Sequence, residues 1–312
     1  MNATTLRRGA SSVAPFGADD RDGTCLILGP PDDALGAAVI EALRAMDCDV
    51  RQLPHPFASP HHCSWSFDST GGVHELLLEG ERLTAAHVRG VLVRGQPMID
   101  PDGWEEKDLG YAYAELHAAV LGWMHGLSCP VVNRYPSWTW FRRGPRLSDW
   151  YPSLRAAGVP FQDALLTSDV GAARAFSNVV VLNPMTAEAA WLMATDGDWR
   201  TLSQYVARTP AHLTRPHGPP RFATVVGDIV FWSAAPGDAD ALEAALVRFA
   251  RDTGLALVEV AFADVDGGLR AVGVDAFPTL DHQPSSNHAG IAAAVALLLT
   301  GEPAATPAGR LP

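Results

Sequence analysis

Lysine is almost missing from this chain. Among 312 residues there is one, Lys107, so 23 basic residues less one leaves 22 arginines. Part of that bias is what a GC-rich genome would produce, so the scarcity counts most where a motif needs a lysine. Cysteine is also scarce. The four present (Cys25, Cys48, Cys63 and Cys129) show no CxxC spacing, which excludes the usual zinc and redox motifs and fits a reducing, cytoplasmic setting with free thiols. No run of about 20 apolar residues spans a bilayer, and no signal-like segment follows the first Met. GxSxG, GxGxxG and P-loop signatures are all missing, so serine-nucleophile and dinucleotide readings have no support. A net charge of −12 argues against nucleic-acid and anionic-membrane partners.

What is there reads as an α/β chain. Hydrophobic residues make up 47%, enough for a sizeable core. Residues 1–22 and 301–312 carry no periodicity and read as tails. CLILG at 25–29, the helical spacing of ALGAAVIEALRAMDC with Asp32 or Asp33 as N-cap, and DVRQL form a βαβ opening that predicts a parallel sheet. HELLLEGERLTAAHV reads as a hairpin arm and a turn of helix. VRGVLVRG at 88–95 is a buried strand ending on Arg94, residues 105–127 are the clearest amphipathic helix, and CPVVN is one more strand. These place a first domain at 23–135.

A second unit over 136–300 follows. It opens with a helix capped by Ser148 or Asp149 and ending at Gly158, and continues with the strands NVVVLNP and RFATVVGDIVFWSA. The stretch 185–220 between those strands has little period, with a short helix near 198–208. A helix over 238–253 then precedes two strands flanking Asp266-Gly267-Gly268, a hairpin turn. GIAAAVALLLTG is the final helix.

This order of elements resembles the ATP-grasp carboxylate–amine ligases, and among them the graspetide maturases. The resemblance is carried by VRGVLVRG, the helix bearing Glu115, SCPVVNRYP, LRAAGVPFQDALLTSD, RFATVVGDIVFWSA, and LALVEVAF with DGGLRAVGVDAFP. It implies a pre-ATP-grasp-like parallel α/β domain followed by a reduced ATP-grasp-like α+β unit; the alternative is a Rossmann-like or unrelated two-domain enzyme. The resemblance also implies parts that this chain lacks. The family's Lys-Pro before its phosphate lid is Asn183-Pro184 here, and a neutral amide cannot balance phosphate as an ammonium does. An earlier lysine is replaced by Arg142 and Arg143. The family's Glu-x-Asn magnesium ligands align with Gly273-Val274-Asp275, and the acidic residue of the preceding strand aligns near Ala261, with Glu259 two positions earlier on the same face. MTAEAAWLMATDGDW stands where a glycine-rich lid is expected.

Three side-chain groups have both a structural and a functional reading. His55, His61, His62 and Cys63 are either a polar loop or zinc or copper ligands. Arg134, Arg142, Arg143 and Arg146, among Tyr135, Trp138, Trp140 and Phe141, are either a linker or the wall of an anion pocket. Asp281, His282, Asn287 and His288 follow the strand carrying Asp275; they either cap the last helix, through Ser285, Ser286 or Asn287, or work with Glu259 in proton transfer or metal ligation. Arg94 and Glu115 read as a buried pair or a pocket wall.

The leading expectation is a degenerate ATP-grasp-like protein, a pseudoenzyme with respect to ATP, repurposed in peptide or small-metabolite biosynthesis. Glu259, Asp275, His282 and His288 would carry its chemistry, with Asp275, His282 and His288 as ligands of a zinc or iron ion. Arg142, Arg143, Arg221 and Asn183 would hold a small-molecule or peptide substrate. ATP is not expected as a cofactor. An active ligase using arginines for lysines and a non-catalytic peptide-binding protein are the alternatives. A homodimer through the first domain rests on resemblance alone.

Overall fold

The computed structural model describes residues 23–53, 75–78, 81–95, 99, 101–134, 147–183, 191–237, 239–265 and 267–301. The opening βαβ unit forms as its pattern predicts: β1 (Thr24–Leu28), α1 (Ala34–Ala45) and β2 (Val50–Leu53). Asp33 is the N-cap and accepts from the Gly36 N–H. A hairpin, β3 (Glu75–Leu78) with β4 (Glu81–Thr84), leads through a 3-10 turn to β5 (Val88–Val93). Then come α2 (Glu106–Gly126) and β6 (Val131–Val132). The first sheet has the order β2-β1-β5-β6 and is parallel throughout. Cys25, Cys48 and Cys129 are free and buried in this unit.

After α3 (Leu147–Ala157) the chain builds a second, antiparallel sheet. It contains β7 (Ala164–Thr167), α4 (Val170–Phe176), β8 (Val180–Asn183), β9 (Trp191–Met193), α5 (Asp196–Val206) and β10 (Ala211–Thr214), with the strand order β7-β10-β8-β9. The segment that lacks a sequence period thus holds two strands and a helix. Thr195 starts α5 with a reciprocal capping box through Asp198, a local device that needs no long apolar pattern. Trp199, Leu202, Leu182, Met193 and Leu213 give this unit its own core.

The third sheet, β12-β11-β13-β14, is antiparallel. It comprises β11 (Arg221–Val226), β12 (Ile229–Trp232), β13 (Leu257–Val265) and β14 (Gly268–Asp275), with α6 (Asp240–Thr253) between β12 and β13 and α7 (Ser285–Thr300) after β14. Alternation divides its residues between two cores. Ala223, Val225, Val260 and Phe262 pack with Trp150 of α3 and Phe249 of α6. Val226 and Leu257 join α7, α1 and the first sheet. The last helix therefore returns to the N-terminal sheet, so the cores cross position 135. The approach is close: a Cβ at Gly90 of β5 would lie 2.3 Å from the Leu299 carbonyl oxygen, which leaves room for glycine only.

Candidate functional site

The site is built on one face of the third sheet. Thr224 lies opposite Glu259, and Glu259 opposite Asp275. Directly opposed residues share a face, so these three side chains project together. Glu259 is 2% exposed. Its Oε2 accepts from the Thr224 hydroxyl at 3.1 Å, and its Oε1 meets His282 Nδ1 at 2.7 Å. The His282 ring stacks on Phe222, with centroids 3.9 Å apart and planes at 7°. Gln283 Nε2 donates to Thr224 Oγ1 at 2.9 Å, and Asn287 Nδ2 donates to Gln283 Oε1 and to the Trp232 carbonyl, each at 3.0 Å. This network holds the loop after β14 across the sheet.

Burial pushes the Glu259 carboxyl above the usual carboxylate range, and the His282 hydrogen bond and charge oppose that rise. When Glu259 is ionised it accepts, so His282 Nδ1 is the protonated nitrogen. The neutral ring then presents Nε2 as a base. That nitrogen has no protein partner among the described residues, and the side chain is 45% exposed. A buried carboxylate that fixes the tautomer of a half-exposed imidazole is the orienting arrangement of a general base.

Among the described residues, the other expected site residues make no hydrogen bond to the Glu259–His282 pair, although Asp275 shares its face of the sheet. Asp275 is exposed, and its Oδ1 accepts from the Phe277 N–H at 2.8 Å. His288 Nε2 donates to the Gln283 carbonyl at 2.9 Å. Asp275, His282 and His288 do not gather into a metal group, and among the described residues no cluster of three or more His, Cys, Asp or Glu could hold an ion. The serines do not cap α7: its N-cap is Pro284, and no side chain caps it. Asn183 sits on the second sheet, donating to Thr214 Oγ1 at 3.0 Å and to the Val181 carbonyl at 3.2 Å. Arg221 alternates onto the face away from Glu259 and donates to Asp264 Oδ2 at 3.2 Å.

Two further expectations need correction. Arg94 pairs with Asp33, not Glu115. Nε and Nη2 reach the two carboxylate oxygens at 2.6 and 3.0 Å, while Glu115 is exposed on α2. Arg134 ties down the C-terminus of α2 and the chain after it by donating to the carbonyls of Met124, Leu127 and Cys129, since carbonyls at a helix end are short of helical donors. Arg142, Arg143, Arg146 and their aromatic neighbours, and His55, His61, His62 and Cys63, lie outside the described residues.

Ala261 lies opposite Gly273, two pairs along the ladder from Glu259 opposite Asp275, with Val260 opposite Val274 between them. Phe222, Thr224 and Gln283 were not singled out by sequence. The period-2 alternation from Arg221 would have placed Phe222 and Thr224 on the Glu259 face once pairing was known.

A hollow of about 400 Å³ lies apart from this site, on the second sheet between β9 and α5. Leu182, Trp191, Leu192, Met193, Leu202 and Tyr205 line it, with Asp198 and Thr201 as its polar members. Trp191 and Leu192 are 45% and 56% exposed, unusual for large apolar side chains side by side.

These three sheets are the architecture of the ATP-grasp ligases, and the chain has that fold. Its structural neighbours include ATP-grasp ligases and a macrocyclase complexed with precursor peptides. The ATP-grasp ligase PsnB, complexed with a variant of its minimal precursor, Mg and ADP, superposes with a TM-score of 0.69 at 19% identity, covering 90% of this chain and 98% of that one. The macrocyclase MdnC from Microcystis aeruginosa, bound with precursor peptide MdnA, gives 0.73 at 16% identity, covering 89% and 99%. A RiPP-associated ATP-grasp ligase from Chryseobacterium gregarium, in complex with ADP and a leader and core peptide, gives 0.70 at 14% identity, covering 89% and 97%. No family model matches the sequence, and no curated protein matches it. No helix among the described residues is long and apolar enough to cross a membrane.

Proposed function

We propose that this chain serves peptide-modifying biosynthesis on an ATP-grasp fold whose magnesium–nucleotide site has become a metal-free acid–base site. The observation that carries this reading is the Ala261–Gly273 pair beside the Glu259–His282 pair. Magnesium needs several oxygen ligands in near-ideal geometry, and of the aligned positions Ala261 and Gly273 carry no side-chain oxygen, which leaves Asp275 alone. Asn183, which aligns with the phosphate lysine, gives its amide hydrogens to Thr214 and Val181. In place of a metal, His282 Nε2 takes a proton from a substrate group, and Glu259 stabilises the imidazolium that results. Asp275 and His288 are then supports of the loop, not ligands.

The competing reading is an ATP-dependent ligase using arginines, which the ADP-bound neighbours favour. Thermal unfolding with and without magnesium and ATP separates the two. A nucleotide at 100 times its Kd stabilises by about 2.7 kcal/mol, a shift of several degrees. No shift is expected at millimolar Mg–ATP, and a shift of that size abandons the metal-free reading.

We also propose that the hollow between β9 and α5 seats a peptide. Paired exposed apolar residues beside a concave apolar wall are what a peptide anchor requires, and the neighbours include ligases bound to precursor peptides. Leu192→Asp should weaken precursor-peptide binding about tenfold or more, equivalent to about 1.4 kcal/mol, as read by anisotropy of a labelled peptide. Unchanged affinity in the folded variant would place the peptide elsewhere.

A further inference from the structure

The first sheet changes direction between β1 and β5: β1 runs through α1 to β2 on one side, and β5 and β6 lie on the other. In open parallel sheets the carboxyl ends of the strands at such a switch point receive ligands. Here the two residues just past β5 and β6 reach this chain's own backbone. Arg94, held by Asp33, donates from Nη2 to the Pro278 carbonyl at 2.7 Å. Asn133, 1% exposed, donates from Nδ2 to the carbonyls of Leu257 at 2.5 Å and Ala276 at 3.0 Å, and its Oδ1 accepts from the Leu257 N–H at 2.8 Å.

The position of that amide is informative. β13 and β14 pair Glu259 with Asp275. Continuing the antiparallel ladder by two residues would set Leu257 against Phe277. Both backbone groups of Leu257 instead bond to the Asn133 amide, which stands in for the next residue of a partner strand. Asn133 thereby ends the ladder at Asp275, and the chain leaves the sheet at Ala276 into the loop that carries His282. Arg94 takes hold of the same loop two residues later.

We infer that Asn133 and Arg94 are positioning residues: from the ends of two parallel strands they set where the chain leaves β14, and so bring His282 onto Phe222 and Glu259. This rests on the reading of Glu259–His282 as the working pair, but its test reads position rather than activity or nucleotide binding. The stacked Phe222 ring shifts the His282 ring protons upfield, and NMR of the full chain detects this.

Asn133→Asp keeps the shape of the side chain but turns two donated hydrogen bonds into oxygen–oxygen contacts. Arg94→Lys keeps the charge but loses the two-pronged grip. In both variants the His282 ring signals are expected to move to the positions of an exposed histidine such as His217, while the methyl signals of the core stay in place. His282 signals unchanged in either folded variant would overturn the inference. So would collapse of the whole fold in both, since these residues would then be needed for the fold itself and not for the loop. If His282 moves as expected while Mg–ATP is nevertheless bound, the positioning role stands and the metal-free function fails.

Discussion

Arg94→Ala is expected to lower folding stability by about 3–5 kcal/mol, the usual cost of removing one partner of a buried ion pair. The Arg94 and Asp33 side chains are 2% and 8% exposed. Truncation leaves the Asp33 carboxylate with only its helix-capping bond to the Gly36 N–H, and it strips the Pro278 carbonyl of a donor. The pair bridges 61 positions of sequence, so the loss falls on the tertiary structure and not on α1 alone. The urea midpoint at constant slope measures it. The double variant Arg94→Met with Asp33→Leu should recover much of the loss, because neither charge then stays buried. A single variant within about 1 kcal/mol of the parent would mean that water already reaches the carboxylate.

The second large effect is at Glu259 and His282. His282→Ala leaves a buried carboxylate with the Thr224 hydroxyl as its remaining partner, and a buried acceptor losing a donor costs about 1–3 kcal/mol. The pH dependence has a defined sign. Burial raises the Glu259 carboxyl above its ordinary range, the largest influence on it, and His282 pulls it down. A carboxyl raised in the folded state favours folding fully below the ordinary value, about 4.3. That contribution is lost as pH climbs through the raised value. Glu259→Gln removes the titration. The parent should therefore lose stability relative to this variant as pH rises from about 4 upward. Denaturation series at several pH values would show it, and the opposite slope would mean that attraction to His282 outweighs burial.

The elements that could be read from sequence are those whose signals are local. The spacing of Leu35, Val39, Ile40 and Leu43 marks α1, and these residues are buried. The turn residues Asp266-Gly267-Gly268 mark the hairpin between β13 and β14. The last helix reads from Gly290 but begins at Ser285: its first turn faces the polar network of Gln283 and Trp232, so it carries polar residues where a core-facing helix has none. β10 escaped for a different reason. Its four residues are all buried, too few to display a period, and its partners β7 and β8 are remote in sequence.

Residue identities alone determined that the chain has one lysine, Asn183 before its proline, and Ala261 and Gly273 where the resemblance implies acidic residues. Only the tertiary structure decided which side chain the Glu259 carboxyl meets. Glu259 and His282 are 23 positions apart. They meet because strand register sets which side chains share a face, and because Asn133 and Arg94 direct the chain back across that face. Register and loop path are sums over many distant backbone hydrogen bonds, and no local stretch of sequence records such a sum.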